Sequence, residues 1–375
     1  MFNESIEEFR HSVVRNFEPH DHPSNCHLLT DFHVEHNINL PGVTISPSIQ
    51  VHLPGAKSAF ICPISIDEKC SNRTAHLYAN ALASILTFST GRRVVAPRDR
   101  YYNRAALNEE NCLALAILHP VLTAGPGYVS PRLTQEDINS YIASSNNLIS
   151  KLRTISYEHY IMAMQAIRLV NLSIINKRQD FGLAYFLGVG AIEAVATNAI
   201  KRPKIKHPKE KDWERTAKEN EQFSELLKAY KAARGGNYLK ERYTKFINDF
   251  APSEIWKTLL PHPKQDRIDI LKNLINPDGS RYPADKLWNE FTPEELSSSE
   301  IQQAIQASYD HRCDFVHNGE QPPHKDPNAR SHFFQNIDEY SKGVPRTTFV
   351  LNYELIIAIA RHAISRWIQT LPGEE

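Results

Sequence analysis

The amino-acid sequence predicts an α+β protein: an N-terminal mixed α/β domain over residues 1–130, a connector helix within 131–154, and a C-terminal all-α helical bundle over 155–375. Three observations lead there. Short runs alternating apolar and polar residues, punctuated by proline and glycine, crowd residues 28–64. After about residue 131 the apolar residues recur at helical spacing instead. Between the two textures, Gly125-Pro126-Gly127 and Ser130-Pro131 mark an edge.

Taken in order, Ile6, Phe9, Val13 and Phe17 have the spacing of one helix face. Val43–Ser46 and Ile49–Leu53 alternate as strands do, and Ala59–Pro63 is a short apolar run. Arg73–Gly91 has helical composition and ends on glycine, and Val94–Ala96 reads as one more strand. Glu136–Leu152 is the polar connector helix. Tyr157–Asn176 carries an apolar stripe through Tyr160, Met164, Ile167, Val170 and Ile174. Phe181–Ile200 is apolar nearly all round, Ser299–His317 is closed by the capping pair Asn318-Gly319, and Asn352–Ile368 has one apolar face. Two inserts interrupt the bundle: a basic one over 201–218 and a proline-rich loop over 320–347.

Composition excludes some function classes. The 43 basic and 43 acidic residues cancel, so no global field draws the chain to nucleic acid or anionic lipid, and such contact needs a local patch. The N-terminal stretch is acidic and lacks the pattern of a signal peptide. Five dispersed cysteines with no C-x-x-C pair fit reduced thiols, so a cytoplasmic location is expected. Phe181–Ile200 is long enough to raise a membrane span, but Glu193, Asn198 and three glycines favour a buried helix, and no membrane partner is expected.

Chemistry concentrates in the helix 299–317. Its apolar stripe runs Ile301, Ile305, Tyr309 and then Arg312, which places a guanidinium on the face to be buried. That charge cannot be lost and must meet an anion. The anion is either Glu193 in the apolar central helix, giving a buried ion pair that fixes helix packing, or a ligand phosphate. His317 lies five residues on, about 140° round a regular helix, so the two share a face only if the helix end unwinds or a second copy completes the site. A histidine there has a bland reading too, as a capping or packing residue.

Other groupings are weaker. Cys313 and His317 are four apart and could form a thiol–imidazole pair, with no third residue to orient it. His20, His22, Cys26, His27, His33 and His36 are dense in metal-capable groups, yet match no zinc spacing; a polar surface loop is the plainer reading and no metal is expected. Residues 201–218 hold eight basic and three acidic side chains, a local charge of +5. That is either a solvated loop or an RNA-backbone contact led by Lys201, Arg202, Lys204 and Lys206.

The string Tyr309-x-x-Arg312-x-x-Phe315-Val316-His317-Asn318-Gly319, closing a long helix of a helical bundle, resembles the R-x4–6-H motif of the HEPN superfamily. Phe186–Ala194, with its small residues and Glu193, resembles a helix of the Apea-like HEPN branch, and the resemblance covers roughly residues 155–370. It implies a dimerising helical domain, often a metal-independent endoribonuclease needing no cofactor. Arg312 and His317 are then catalytic, with Tyr309, Glu193 and Asn318 in support, and two such pairs face each other at a dimer cleft. RNA is the implied substrate, a homodimer the implied assembly, and antiviral defence or a toxin-like response, with a defence-system partner, the implied setting. The resemblance also allows a catalytically silent HEPN module that binds a partner or nucleotide. Cys313 departs from the family pattern, where a polar Asn, Asp or His often follows the arginine.

Overall fold

The computed structural model describes residues 2–14, 24–52, 59–66, 74–103, 105–121, 133–201, 207, 209–261, 277–280, 292–319, 332–341 and 344–373. The protein is α+β. It divides into two compact units, residues 1–187 with 326–328 and 365–375, and residues 188–325 with 329–364. The division does not fall at the proline- and glycine-rich edge near 125–131. It falls inside a helix, so the connector and the helix after it belong to the first unit.

In the first unit, α1 (Phe2–Val14) buries Ile6 and Phe9. The sheet consists of β1 (Ser24–Thr30), β2 (Ile38–Leu40), β3 (Val43–Ile45), β4 (Ile49–Val51), β5 (Ala59–Ile66) and β6 (Val94–Val95). Its order is β2-β3-β5-β1-β6, every pairing is antiparallel, and β4 continues along the β5 edge that β3 leaves. β1 corrects an expectation: residues 24–30 are a strand inside the sheet, not surface loop. Leu28 pairs with Cys62, and Cys26, His27, Leu28 and Leu29 are all buried. Both faces of the sheet are covered, which is why β1 shows no clean alternation. One face carries α2 (Ala75–Thr90), where the Cys26 thiol reaches the Ala75 carbonyl at 3.6 Å. On the other, Leu29 and Ile61 cluster with Cys112 and Leu115 of α4 (Glu109–Leu118).

α2 ends at Gly91, whose φ of 70° is left-handed backbone that glycine adopts without strain. Beyond it Arg92 pairs with Asp31 at 3.0 Å, both side chains nearly buried, and burial pushes the Asp31 carboxyl up against the pull of Arg92. A short α3 (Arg100–Asn103) precedes α4. α5 (Gln135–Thr154) begins at a reciprocal Thr134–Asp137 cap and α6 (Tyr157–Asn176) at Ser156, and both pack on α2. Ser89 and Ser145, 2.8 Å apart, join α2 to α5. The C-terminal residues close this unit: Lys151 donates to the Leu371 carbonyl at 2.7 Å, Ile155 bridges Gly373, and His159 meets Trp367 edge-on.

α7 (Phe181–Ala199) is the one helix among the described residues long and apolar enough to cross a bilayer, and 56% of its apolar window is buried by protein. The second unit takes residues 188–199 of it, then α8 (Glu210–Glu219), α9 (Glu221–Phe250), α10 (Trp256–Leu259), α11 (Ser298–Asn318), β7 (Phe334–Ser341), β8 (Val344–Leu351) and the first two thirds of α12 (Tyr353–Thr370). Three findings depart from expectation here. Residues 210–219 of the basic insert are helix, with Glu214 paired to Lys231 of α9 at 2.8 Å. α9 has no counterpart among the expected elements. The expected loop over 320–347 holds most of a hairpin, in register from Phe334↔Leu351 to Ser341↔Val344, so the unit is not all-helical. Pro345 lies in β8 opposite Tyr340, at the edge-strand kind of position where a missing N–H is tolerated. α11 packs against β8 and α9.

Candidate functional site

α11 is fixed at both ends. The Ser297 hydroxyl accepts from the Glu300 N–H at 3.3 Å, while the Glu300 carboxylate accepts from the Ser297 N–H at 2.8 Å. At the other end Gly319, with φ 69°, turns its N–H back to the carbonyls of Asp314 and Phe315. The helix is therefore regular through Asn318. Its buried face runs Ile301, Ala304, Ile305, Ser308 and Tyr309, and Arg312 follows on the same line.

That line meets α7 at Glu193. One carboxylate oxygen accepts from Arg312 Nη2 at 2.8 Å and the other from the Tyr309 hydroxyl at 3.3 Å. The Glu193 side chain is 12% exposed and that of Arg312 23%, so the pair is partly shielded from water. The Arg312 guanidinium also lies 5.9 Å from the centroid of the Tyr309 ring. Behind Tyr309 stands Tyr243 of α9, ring centroids 5.4 Å apart. The Tyr243 hydroxyl donates to Ser308 Oγ at 3.0 Å, and Ser308 donates onward to the Ile305 carbonyl at 2.6 Å. Burial pushes the Tyr309 phenol up, with the Glu193 charge adding to it, and burial does the same at Tyr243. Both phenols thus stay protonated and act as donors.

The predicted residues fall into two groups. Arg312, Glu193 and Tyr309 are brought together. His317 and Asn318 stand exposed at the C-terminal end of α11, and His317 makes no hydrogen bond among the described residues. Since α11 does not unwind between residues 312 and 317, Arg312 and His317 do not share a face within one chain. No hydrogen bond joins Cys313 to His317 among the described residues, and the Cys313 sulfur lies 4.0 Å from Arg312 Nη1. Lys201 is exposed just past α7; Arg202, Lys204 and Lys206 lie outside the described residues.

Sequence reasoning missed Tyr243 and Lys240, both on α9; Lys240 pairs with Asp310 at 2.6 Å on the exposed side of α11. The one available signal was the Tyr238–Tyr243–Phe246–Phe250 spacing. Among the described residues no group of three or more His, Cys, Asp or Glu is placed to hold a metal ion. The N-terminal histidines have other contacts: His27 Nε2 donates to the Ala105 carbonyl at 2.8 Å, and His33 lies 2.6 Å from the Ser48 hydroxyl, while His20 and His22 are outside the described residues.

Chemically, the cluster is a carboxylate, a guanidinium and a phenol on two helices, with an imidazole exposed one turn beyond. Arg312 offers five N–H donors; Nη2 gives one to Glu193, and Nη1 lies 4.0 Å from the Cys313 sulfur. No protein-family model, no curated protein and no solved structure matches the chain.

Proposed function

We propose that the C-terminal unit acts as a HEPN-type, metal-independent endoribonuclease in a cytoplasmic homodimer, with Arg312 and His317 from two copies forming the site. The observation that carries this reading is the split along α11: His317 is exposed at the helix end, while Arg312 is held one turn deeper by Glu193. A regular helix leaves the pair incomplete in one chain, and a second copy placing its own α11 end opposite supplies what is missing.

In the reaction, the ribose 2′-hydroxyl attacks the adjacent phosphorus and the bond from phosphorus to the 5′-oxygen breaks. One His317 takes the 2′-hydroxyl proton, and His317 of the partner subunit protonates the departing oxygen. Arg312 holds the phosphate and its growing charge. The products are a 2′,3′-cyclic phosphate and a 5′-hydroxyl, and DNA is not cut. Lys201 and the basic residues after it contact the RNA backbone. The finer fold assignment, an N-terminal domain that senses or restrains and a C-terminal HEPN-like bundle carrying a hairpin, belongs to the same proposal, as does a role in antiviral defence.

A second reading has its own observation. The 2.8 Å contact of Arg312 with Glu193, braced by Tyr309, suits a silent HEPN module in which the arginine is structural and the unit binds a partner or nucleotide. Labelled single-stranded RNA and tRNA incubated in EDTA with wild type, His317→Ala and Arg312→Ala separate the two. Cleavage by wild type alone, with cyclic phosphate ends, supports the ribonuclease. No cleavage of either RNA by a dimeric wild type refutes it in favour of the silent module, and equal cleavage by all three proteins refutes the assignment of these residues.

A further inference from the structure

The ribonuclease reading leaves unused a cavity in the first unit, lined by the sheet and by helices α2 and α5. It holds about 120 Å³ of open space. Protein interiors are close-packed, and voids larger than a water molecule are few. The helical spacing of α5 turns Ile138, Tyr141, Ile142 and Ser145 toward this one. From α2 come Leu86 and Thr90, one turn apart, and from the sheet Ile38 of β2 and Ile45 of β3.

The wall is mostly hydrocarbon, and its polar side chains already have protein partners. The Thr30 hydroxyl donates to the Phe32 carbonyl and the Thr90 hydroxyl to the Leu86 carbonyl, both at 2.6 Å. Ser145 is joined to Ser89 at 2.8 Å, and His33 Nδ1 to the Ser48 hydroxyl at 2.6 Å. A buried water needs about two to four polar partners, so this space favours an apolar occupant over water. Two rings, Phe32 and Tyr141, belong to the wall, their centroids 6.3 Å apart and their planes tilted by 57°. The exposed residues Glu35, His36 and Gln135 rim it. Among the described lining residues Glu35 is the only acid, and none is lysine or arginine.

We propose that this cavity binds a small neutral molecule built on a single aromatic ring. Size sets the first limit: a cavity of about 150 Å³ walled by leucine, isoleucine and phenylalanine admits benzene, so this one takes one ring and a small substituent. The Phe32 and Tyr141 rings offer edge and face contacts that an aromatic ligand uses and an aliphatic chain does not. Charge sets the next limit, since a carboxylate in this wall would be buried without a cation to pair with it. A ring hydroxyl lies at the rim, where Glu35 and Gln135 offer acceptors. The inference does not rest on the ribonuclease reading, because every residue it uses lies in the first unit.

Isothermal titration calorimetry of the full chain tests it, with p-cresol, hexanol and sodium benzoate as titrants at fixed ionic strength. Saturable binding of p-cresol is expected, with Kd about 0.1–1 mM, hexanol several-fold weaker and benzoate weaker by about tenfold or more. Isoleucine methyl spectra locate the bound ring: p-cresol should shift Ile38, Ile45, Ile138 and Ile142, and leave Ile356 and Ile359 of the second unit in place. Ile142→Trp fills the space and should abolish binding while the circular dichroism stays that of wild type. If that variant does not fold, the methyl shifts of the unaltered chain decide. The proposal is overturned if p-cresol does not saturate by about 10 mM, or if its methyl shifts fall away from the cavity. Unchanged affinity in a folded Ile142→Trp overturns it as well. Benzoate binding as tightly as p-cresol refutes the neutral class, and hexanol doing so refutes the aromatic one.

Discussion

The contact between Arg312 and Glu193 permits a quantitative test. Removing the guanidinium in Arg312→Met leaves a carboxylate 12% exposed, with only the Tyr309 hydroxyl on it. Breaking a fully buried pair costs about 3–5 kcal/mol; with Arg312 23% exposed, solvent screening brings the expected loss to about 2–3 kcal/mol. Glu193→Gln keeps a carbonyl for Tyr309 but strands the arginine, which can partly reach water, so about 1–2 kcal/mol is expected. The double variant removes both charges and should lie within about 1 kcal/mol of wild type, a coupling of at least about 2 kcal/mol. Urea unfolding followed by circular dichroism on the four proteins reads these values. If Arg312→Met stays within about 0.5 kcal/mol of wild type, or the two single effects simply add, the pair contributes nothing and the account of α7–α11 packing is wrong.

Two further outcomes are expected. Burial, opposed by its backbone hydrogen bonds, lowers the His27 pKa below the ordinary 6.5, so the folded state keeps the ring neutral. Its contribution to stability is full above about pH 6.5 and is lost as pH falls through the lower folded value, because the unfolded chain then binds the extra proton. Chemical denaturation between pH 7.5 and 5 should show that loss, and His27→Gln should flatten it; an unchanged slope in the variant refutes the assignment. At Gly319 a Cβ would meet nothing within 4 Å, so Gly319→Ala isolates the left-handed backbone alone and should cost about 1 kcal/mol by the same unfolding assay. A neutral result there means the α11 end is not held as described.

Much of α11 was legible because its signals are local. Serines before the first turn, Asn318-Gly319 after the last and a charge on the apolar stripe all sit within one segment, and the stripe pointed at Glu193 without any knowledge of the fold. α9 was not legible, since Gly235-Gly236 in its middle reads as a break and charged residues blur its stripe. With it went Tyr243, whose hydrogen bond to Ser308 spans 65 residues. β1 failed for a similar reason: the Cys26 thiol and His27 Nε2 meet carbonyls at Ala75 and Ala105, far along the chain, so a buried strand looks like a polar loop. The hairpin was hidden by Gly343 and Pro345 in the sequence, residue types that interrupt strands in general; Pro345 nonetheless lies in β8, one residue from its start.

The first unit is discontinuous, and that orders events during synthesis. Its sheet and its helices through α6 emerge early from a ribosome, but the partners of Lys151, Ile155 and His159 are Leu371, Gly373 and Trp367, with Leu371 following Lys151 by 220 residues. At typical elongation rates the nascent unit waits on the order of tens of seconds for its final pieces. During that interval the carboxyl ends of α5 and the start of α6 lack their closing contacts and are exposed to chaperones and proteases. A ribosome stalled within α12 would therefore release a chain whose defect lies in the part made first.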